Sequence, residues 1–595
     1  MSYPWNQNSD GTPRRPADDQ TDAGHLIMGM SWQDCLLTRE GDSRQYRAMR
    51  GMQENRFSRT RLALMLTSLL LLPLVAAQAG LVEPPVHRGV YAIWYERMPE
   101  VMELPYITGG QIHFEWADLE TAEGQYDFSR LEARMKKMHD QNKPFTVQVN
   151  GNRKPAWLFE RVPFSPEKLS VQVGNPQGTL MYWHPMFERA YTNFLHAYAA
   201  FLKQSPYRAS LLGVRQNFNA IGTEHWQVPQ NKVALSNWRV PQGASAGQPF
   251  TPALRRAYQA HVLAAFAREF APDIRVFVRN NIQPELRKDF DPDFQAGRLC
   301  WFHTSSEIEP RNVAAEQYRV FLDDCRTGKT LAYAEPWATA WGHHDIITDP
   351  RWCSPPQWNY WRLLCDLNCG VSFIACYAND LEVARSGRYL DMKGSVTDAA
   401  QFKEEFDAAF RFAAKYAGYH ASPQASPGAW VAFRQGDTLT GDYTFLMQRL
   451  PDQTREVKKV GPDEQRFGAW ARLLSRDQMM QLVLDETFVA SLATQAGELR
   501  VTYLDRGTGS LEIQAAGQTF RAPCADTGRW KTATWQLQNP VFAKKQFGRA
   551  REPARTWSRT DFTYGGGHPQ MNPLPRRRSH LHVRTAGLPR KDALR

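Results

Sequence analysis

Two glutamates stand where a chain could use them for chemistry. Glu224 lies in FNAIGTEHWQVP, just after an apolar run, and Glu335 closes the run LAYAEPW, with Pro336 blocking its continuation. Two carboxylates facing one pocket can divide the work of glycosidic cleavage. One protonates the leaving oxygen while the other attacks the anomeric carbon or activates water. The two must titrate differently, which a half-apolar pocket and their mutual repulsion achieve.

The residues at the ends of the other apolar runs fit such a pocket. They are His113, Glu115 and Trp116; Gln148, Asn150 and Asn152; Arg215, Asn217 and Asn219; Asn280 and Asn281; Trp301 and His303; Trp337; and Tyr377, Asn379 and Asp380. Amides and imidazoles supply directed hydrogen bonds for hydroxyls, and indoles supply flat faces for the C–H surfaces of sugar rings. We therefore expect His113, Trp116, Asn150, Arg215, Asn217, Asn219, Trp301, His303, Trp337, Tyr377 and Asp380 to contact a carbohydrate, with Trp116, Trp301 and Trp337 as stacking faces. Other chemistries lack their residues: no H-E-x-x-H and no phosphate-cradling glycine loop occurs, and His343-His344 is adjacent rather than four apart. No metal or other cofactor is expected.

These residues need a scaffold that brings strand ends together. Between His87 and about Ala417, eight short runs alternate with helical patterns: RGVYAIWY, GGQIHFEW, KPFTVQVN, SLLGVRQNF, DIRVFVRN, RLCWFHTS, KTLAYAEPW and GVSFIACYAND. The intervening segments, such as HPMFERAYTNFLHAYAAFLKQ, place apolar residues at three- and four-residue intervals. Eight strands with covering helices predict a (β/α)8 barrel, whose chemistry sits at the carboxyl ends of the strands. A doubly wound sheet is disfavoured because no G-x-G-x-x-G turn follows a strand. After Gly428, short strands divided by Gly, Asp and Pro turns predict an antiparallel β-sandwich.

The resulting division is 1–50 as an over-extended or disordered N-terminus, 51–79 as a secretory signal, 80–420 as the barrel, 421–560 as the sandwich and 561–595 as a basic disordered tail. Arg56, Arg59 and Arg61 precede the apolar LALMLTSLLLLPLVAA and the small-x-small site Ala77-Gln78-Ala79. Cleavage there predicts a secreted or periplasmic protein without a permanent membrane span, with Met49 or Met52 as the start. The net charge of +11 comes almost wholly from the stretch after Val541, with about thirteen Lys and Arg against three acids. The main body carries no basic stripe, which argues against a nucleic-acid partner. Beyond the signal there are seven cysteines, an odd number, so at least one is unpaired within the chain.

HFEWADLETAEGQYDFSRLE, His113 to Glu132, resembles the second-strand segment of β-galactosidase-like (β/α)8 glycoside hydrolases, a retaining superfamily. The matching residues are Trp116, Glu120, Gly124, Tyr126, Asp127 and Phe128. The resemblance implies an acid/base on strand four and a nucleophile on strand seven, which fall on Glu224 and Glu335. It expects Asn before the strand-four glutamate, where this chain has Thr223. AIGTEHWQVP is also similar to the loop of the inverting β-amylases. The alternative these departures raise is a carbohydrate-binding or scaffolding protein on a barrel without turnover.

Overall fold

The computed structural model describes residues 87–537 and 579–586, except for 170–172, 217–234, 280–283, 305–314, 329, 337–338, 342–352, 392, 435–440, 476–477 and 493–496. Within these, eight strands close into a parallel barrel: β1 (Gly89–Ile93), β2 (Ile107–Glu115), β3 (Phe145–Asn150), β4 (Leu211–Arg215), β5 (Val276–Arg279), β6 (Leu299–Thr304), β7 (Ala332–Glu335) and β8 (Phe373–Tyr377). Each pairs in parallel with its sequence neighbours, and β1 pairs with β8 to close the ring. The expected (β/α)8 barrel is therefore present.

Alternation along the strands builds two cores. Tyr91, Ile93, Leu212, Phe277, Phe302, Tyr333 and Phe373 fill the barrel interior. Their neighbours in sequence, including Val276, Trp301 and Ile374, pack outward against the helices, as do Ile112 and Phe114 of β2. One close approach depends on a missing side chain: a Cβ at Gly109 on β2 would lie 2.0 Å from the Pro144 carbonyl oxygen. The helix Pro185–Gln204 shows how the outer layer forms. Pro185 opens it, the His184 ring accepts from Met186 N, and Phe187, Tyr191, Phe194, Leu195 and Tyr198 form its buried stripe.

Beyond Trp430 the chain forms antiparallel sheets. One has five strands in the order Met447–Arg449, Met479–Leu484, Ser579–Ala586, Thr508–Ala515, Gln518–Ala525, and Gly497–Leu504 pairs separately with Trp530–Leu537. Met480, Leu482, Leu499, Ile513, Ala515 and Leu537 from both sheets share one apolar cluster. The stretch expected to be a disordered tail is corrected in part, because Ser579–Ala586 lies between two strands of the five-stranded sheet and pairs with both. Its sequence SHLHVRTA alternates polar residues with Leu581 and Val583, a strand pattern that the surrounding arginines and prolines obscure. The signal segment lies outside the described residues. Among the described residues no helix is long and apolar enough to cross a membrane.

Candidate active site

Glu335 is the last residue of β7. Tyr333, two residues earlier, fills the barrel interior, so strand alternation turns Glu335 inward at the carboxyl-terminal mouth. It is only 8 % exposed. Its Oε2 accepts from Arg215 Nη1 at 2.6 Å and from Gln111 Nε2 at 2.9 Å. Arg215 ends β4, and its guanidinium lies 3.7 Å from the centroid of the Phe302 ring. Burial lowers the guanidinium's pKa, and the Glu335 charge acts in the opposite direction.

A row of polar side chains continues from this pair. Gln148 Oε1 accepts from Arg215 Nη1 at 2.7 Å and from Gln111 Nε2 at 2.9 Å. Gln148 Nε2 donates to Asn150 Oδ1 at 2.7 Å, and Asn150 Nδ2 lies 2.6 Å from His113 Nε2. Burial, followed by the field of Arg134, pushes His113 down to about 3, while Asp118 acts the other way. The Trp94 ring rests on His113, with centroids 4.3 Å apart. Trp94 follows β1 and has φ 56°, in the left-handed region that an aromatic residue rarely enters. Tyr377, at the end of β8, is partly buried against the same interior cluster. The structure thus brings together four of the expected site residues, Glu335, Arg215, Asn150 and His113, with Tyr377 packed on the interior cluster below.

Four others take different places. Trp116 is 1 % exposed, packs on Phe187, Tyr191 and Phe194, and donates from Nε1 to Glu120 at 2.7 Å. Trp301 is 1 % exposed, packs on Phe294 and Phe321, and donates to Asp324 at 3.1 Å. His303 lies against Phe321 and 3.6 Å from Asp366. All three point into the layer between barrel and helices, so neither indole offers a face to a sugar in the mouth. For Trp301 and His303 the physical reason is parity, each sitting one residue out of step with the inward-facing positions of β6, while Trp116 lies past the end of β2 in the short helix Trp116–Asp118. Asp380 is fully buried and accepts from Ala340 N with both carboxylate oxygens at 3.0 Å, holding the segment after β7. Glu115 accepts from Arg153 N at 3.0 Å and caps the short helix Trp116–Asp118. Glu224, Asn217, Asn219 and Trp337 lie outside the described residues.

The residues missed from sequence are Gln111, Trp94 and Phe302. Gln111 was within reach, because it lies two positions before His113 and so shares its face of β2.

Fold and site together define the class: a (β/α)8-barrel protein with a buried, guanidinium-held carboxylate at its mouth. No protein-family profile and no curated protein matches the chain. Solved structures to which it is similar include xylanase B from Clostridium stercorarium F9, with 9 % identity over 49 % of this chain and 86 % of that one, at TM-score 0.31. A cold-adapted β-galactosidase from Rahnella sp. R3 has 12 % identity over 49 % of this chain and 50 % of its own, at TM-score 0.30. A xylanase from Paenibacillus barcinonensis complexed with a conduramine derivative has 10 % identity over 49 % and 84 %, at TM-score 0.31. The closed strand order, rather than these distant likenesses, defines the barrel.

Proposed function

We propose that the protein is an exported glycoside hydrolase that cleaves O-glycosidic bonds of an oligo- or polysaccharide. Glu335 is its nucleophile, or its general base if water attacks directly, and Glu224 is the general acid/base. The observation that carries this reading is the placement of Glu335: it ends a barrel strand at the mouth, is buried, and takes two donors on one oxygen. A row of amides and a neutral imidazole beside it supports a hydroxyl-rich ligand. The N-terminal pattern Arg56–Ala79 supports export.

The test is product analysis on a broad glycan array, with anomeric configuration read by NMR, for the parent protein and for Glu224→Gln and Glu335→Gln separately. Hydrolysis unchanged by either substitution removes that residue from the mechanism. Thr223, in place of the asparagine that the resemblance expects, favours a second reading: a carbohydrate-binding barrel without turnover. Glycan binding with no product from any array member selects that reading.

A further inference from the structure

Hydrogen-bond polarity along the polar row is fixed at one end. An arginine only donates, so the Gln148 atom 2.7 Å from Arg215 Nη1 is the amide oxygen. Gln111 Nε2, which also donates to Glu335, meets the same oxygen. The Gln148 nitrogen therefore faces Asn150, whose oxygen must receive it. The Asn150 nitrogen then faces His113 Nε2 at 2.6 Å, and that ring nitrogen has to be the acceptor. Amide and imidazole orientations are often ambiguous one residue at a time. Here a chain of obligate donors leaves one solution: Nε2 is bare and Nδ1 carries the proton.

The surroundings agree. Glu115 Oε1 lies 3.7 Å from Nε2, beyond hydrogen-bond distance. Arg134, Arg153 and Arg215 oppose a charge on the ring, and Asp118 favours one less strongly than burial resists it. Nδ1 has no hydrogen-bond partner among the described residues, and the side chain retains 14 % exposure at the mouth.

We propose that His113 is a hydrogen-bond donor of fixed polarity, presenting Nδ1–H to an oxygen lone pair of the bound sugar, with its tautomer set from two strands away by Arg215 through Gln148 and Asn150. The sugar rests on the function proposed above; the tautomer does not. A group presented this way accepts a hydroxyl, ring or glycosidic oxygen. It rejects an ammonium, which offers only donors, so an unmodified sugar is selected over its amino-sugar counterpart at this subsite.

The direct test is long-range proton–nitrogen NMR on the full chain labelled with nitrogen-15 histidine, the His113 signals being those lost in His113→Gln. A protonated Nδ1 and a bare Nε2 are expected, unchanged from pH 5.5 to 8. A protonated Nε2, or a mixture of tautomers, overturns the proposal. Gln148→Glu removes the donor to Asn150, so the Asn150 amide turns, offers its oxygen to His113, and moves the ring proton to Nε2. Retention of the Nδ1–H form in that variant overturns the relay. If Gln148→Glu does not fold by circular dichroism, Gln148→Met takes its place, and there a mixture of tautomers is expected and an unchanged Nδ1–H form overturns the relay. On any glycan the parent protein cleaves, His113→Phe should lower kcat/KM about tenfold or more, and an unchanged value overturns the substrate contact. Should no glycan be cleaved, the function fails while the tautomer result stands by itself.

Discussion

Arg215 and Glu335 meet across the barrel mouth at 2.6 Å, although 120 residues separate them in the chain. The same guanidinium nitrogen reaches Gln148, so side chains from β3, β4 and β7 converge on one atom. Few placements for Arg215 satisfy Glu335, Gln148 and the Phe302 face together, which makes it the keystone of the mouth.

Replacing Arg215 by methionine keeps the length of the side chain but strands the Glu335 carboxylate with Gln111 alone. Removing one partner of a buried pair costs about 3–5 kcal/mol. Equilibrium denaturation of Arg215→Met should show a loss of that order, and a loss near zero would mean that the pair is solvated and contributes little.

Glu335→Gln is expected to leave the fold intact and to reduce kcat by about 10²–10⁴-fold or more, since a neutral amide can serve neither as nucleophile nor as base. Circular dichroism verifies the first expectation and glycan turnover the second. A variant that loses activity only because it unfolds would leave Glu335 with a structural role.

Asp380 gives a pH signature. Burial pushes its carboxyl up to about 7, against the opposing pull of the Ala340 N–H and Arg362; Cys376 and Tyr389 also face it. Its folded pKa lies above that of the unfolded chain, near 3.9. Protonation therefore favours the folded state, fully below about pH 4, and the contribution disappears as pH rises through about 7. Asp380→Asn lacks this titration. Thermal melts at pH 4.5 and 8 should show the variant gaining on the parent at the higher pH, and a pH-independent difference refutes the assignment.

Trp116 and Trp301 are predicted to act through packing alone. Alanine at either should destabilise by about 3–5 kcal/mol, while glycan affinity of the folded protein stays within about twofold, a fraction of a kcal/mol. A large affinity loss without destabilisation would return these indoles to the sugar site.

How much of this could be read from the chain depends on the strand. All eight barrel strands are legible, since each apolar run has a strand's length and all but the first two are separated by an α-helix. Which way each strand faces is harder to read. Barrel strands are buried on both sides, so β6, LCWFHT, carries adjacent bulky aromatic residues, and its sequence does not tell Trp301 from Phe302. On β7 the acid at the strand end is legible in the sequence, and it falls on the inward face. The strand Ser579–Ala586 was hidden for another reason: its two partners lie far back in the chain, and local composition there is dominated by charge.

Deleting residues 579–595 should separate Met479–Leu484 from Thr508–Ala515 and expose both edges. A lower melting temperature and self-association in light scattering are expected. A truncated protein as stable and monodisperse as the parent would mean that the sheet closes without this strand.

The two oxygens of Glu335 are not equivalent. Both donors converge on Oε2, and Oε1 accepts no hydrogen bond among the described residues. Electron density is drawn toward the anchored oxygen, while Oε1 keeps its lone pairs for whatever enters the mouth. The carboxylate is thus handed: one oxygen is its anchored hinge and the other its open edge.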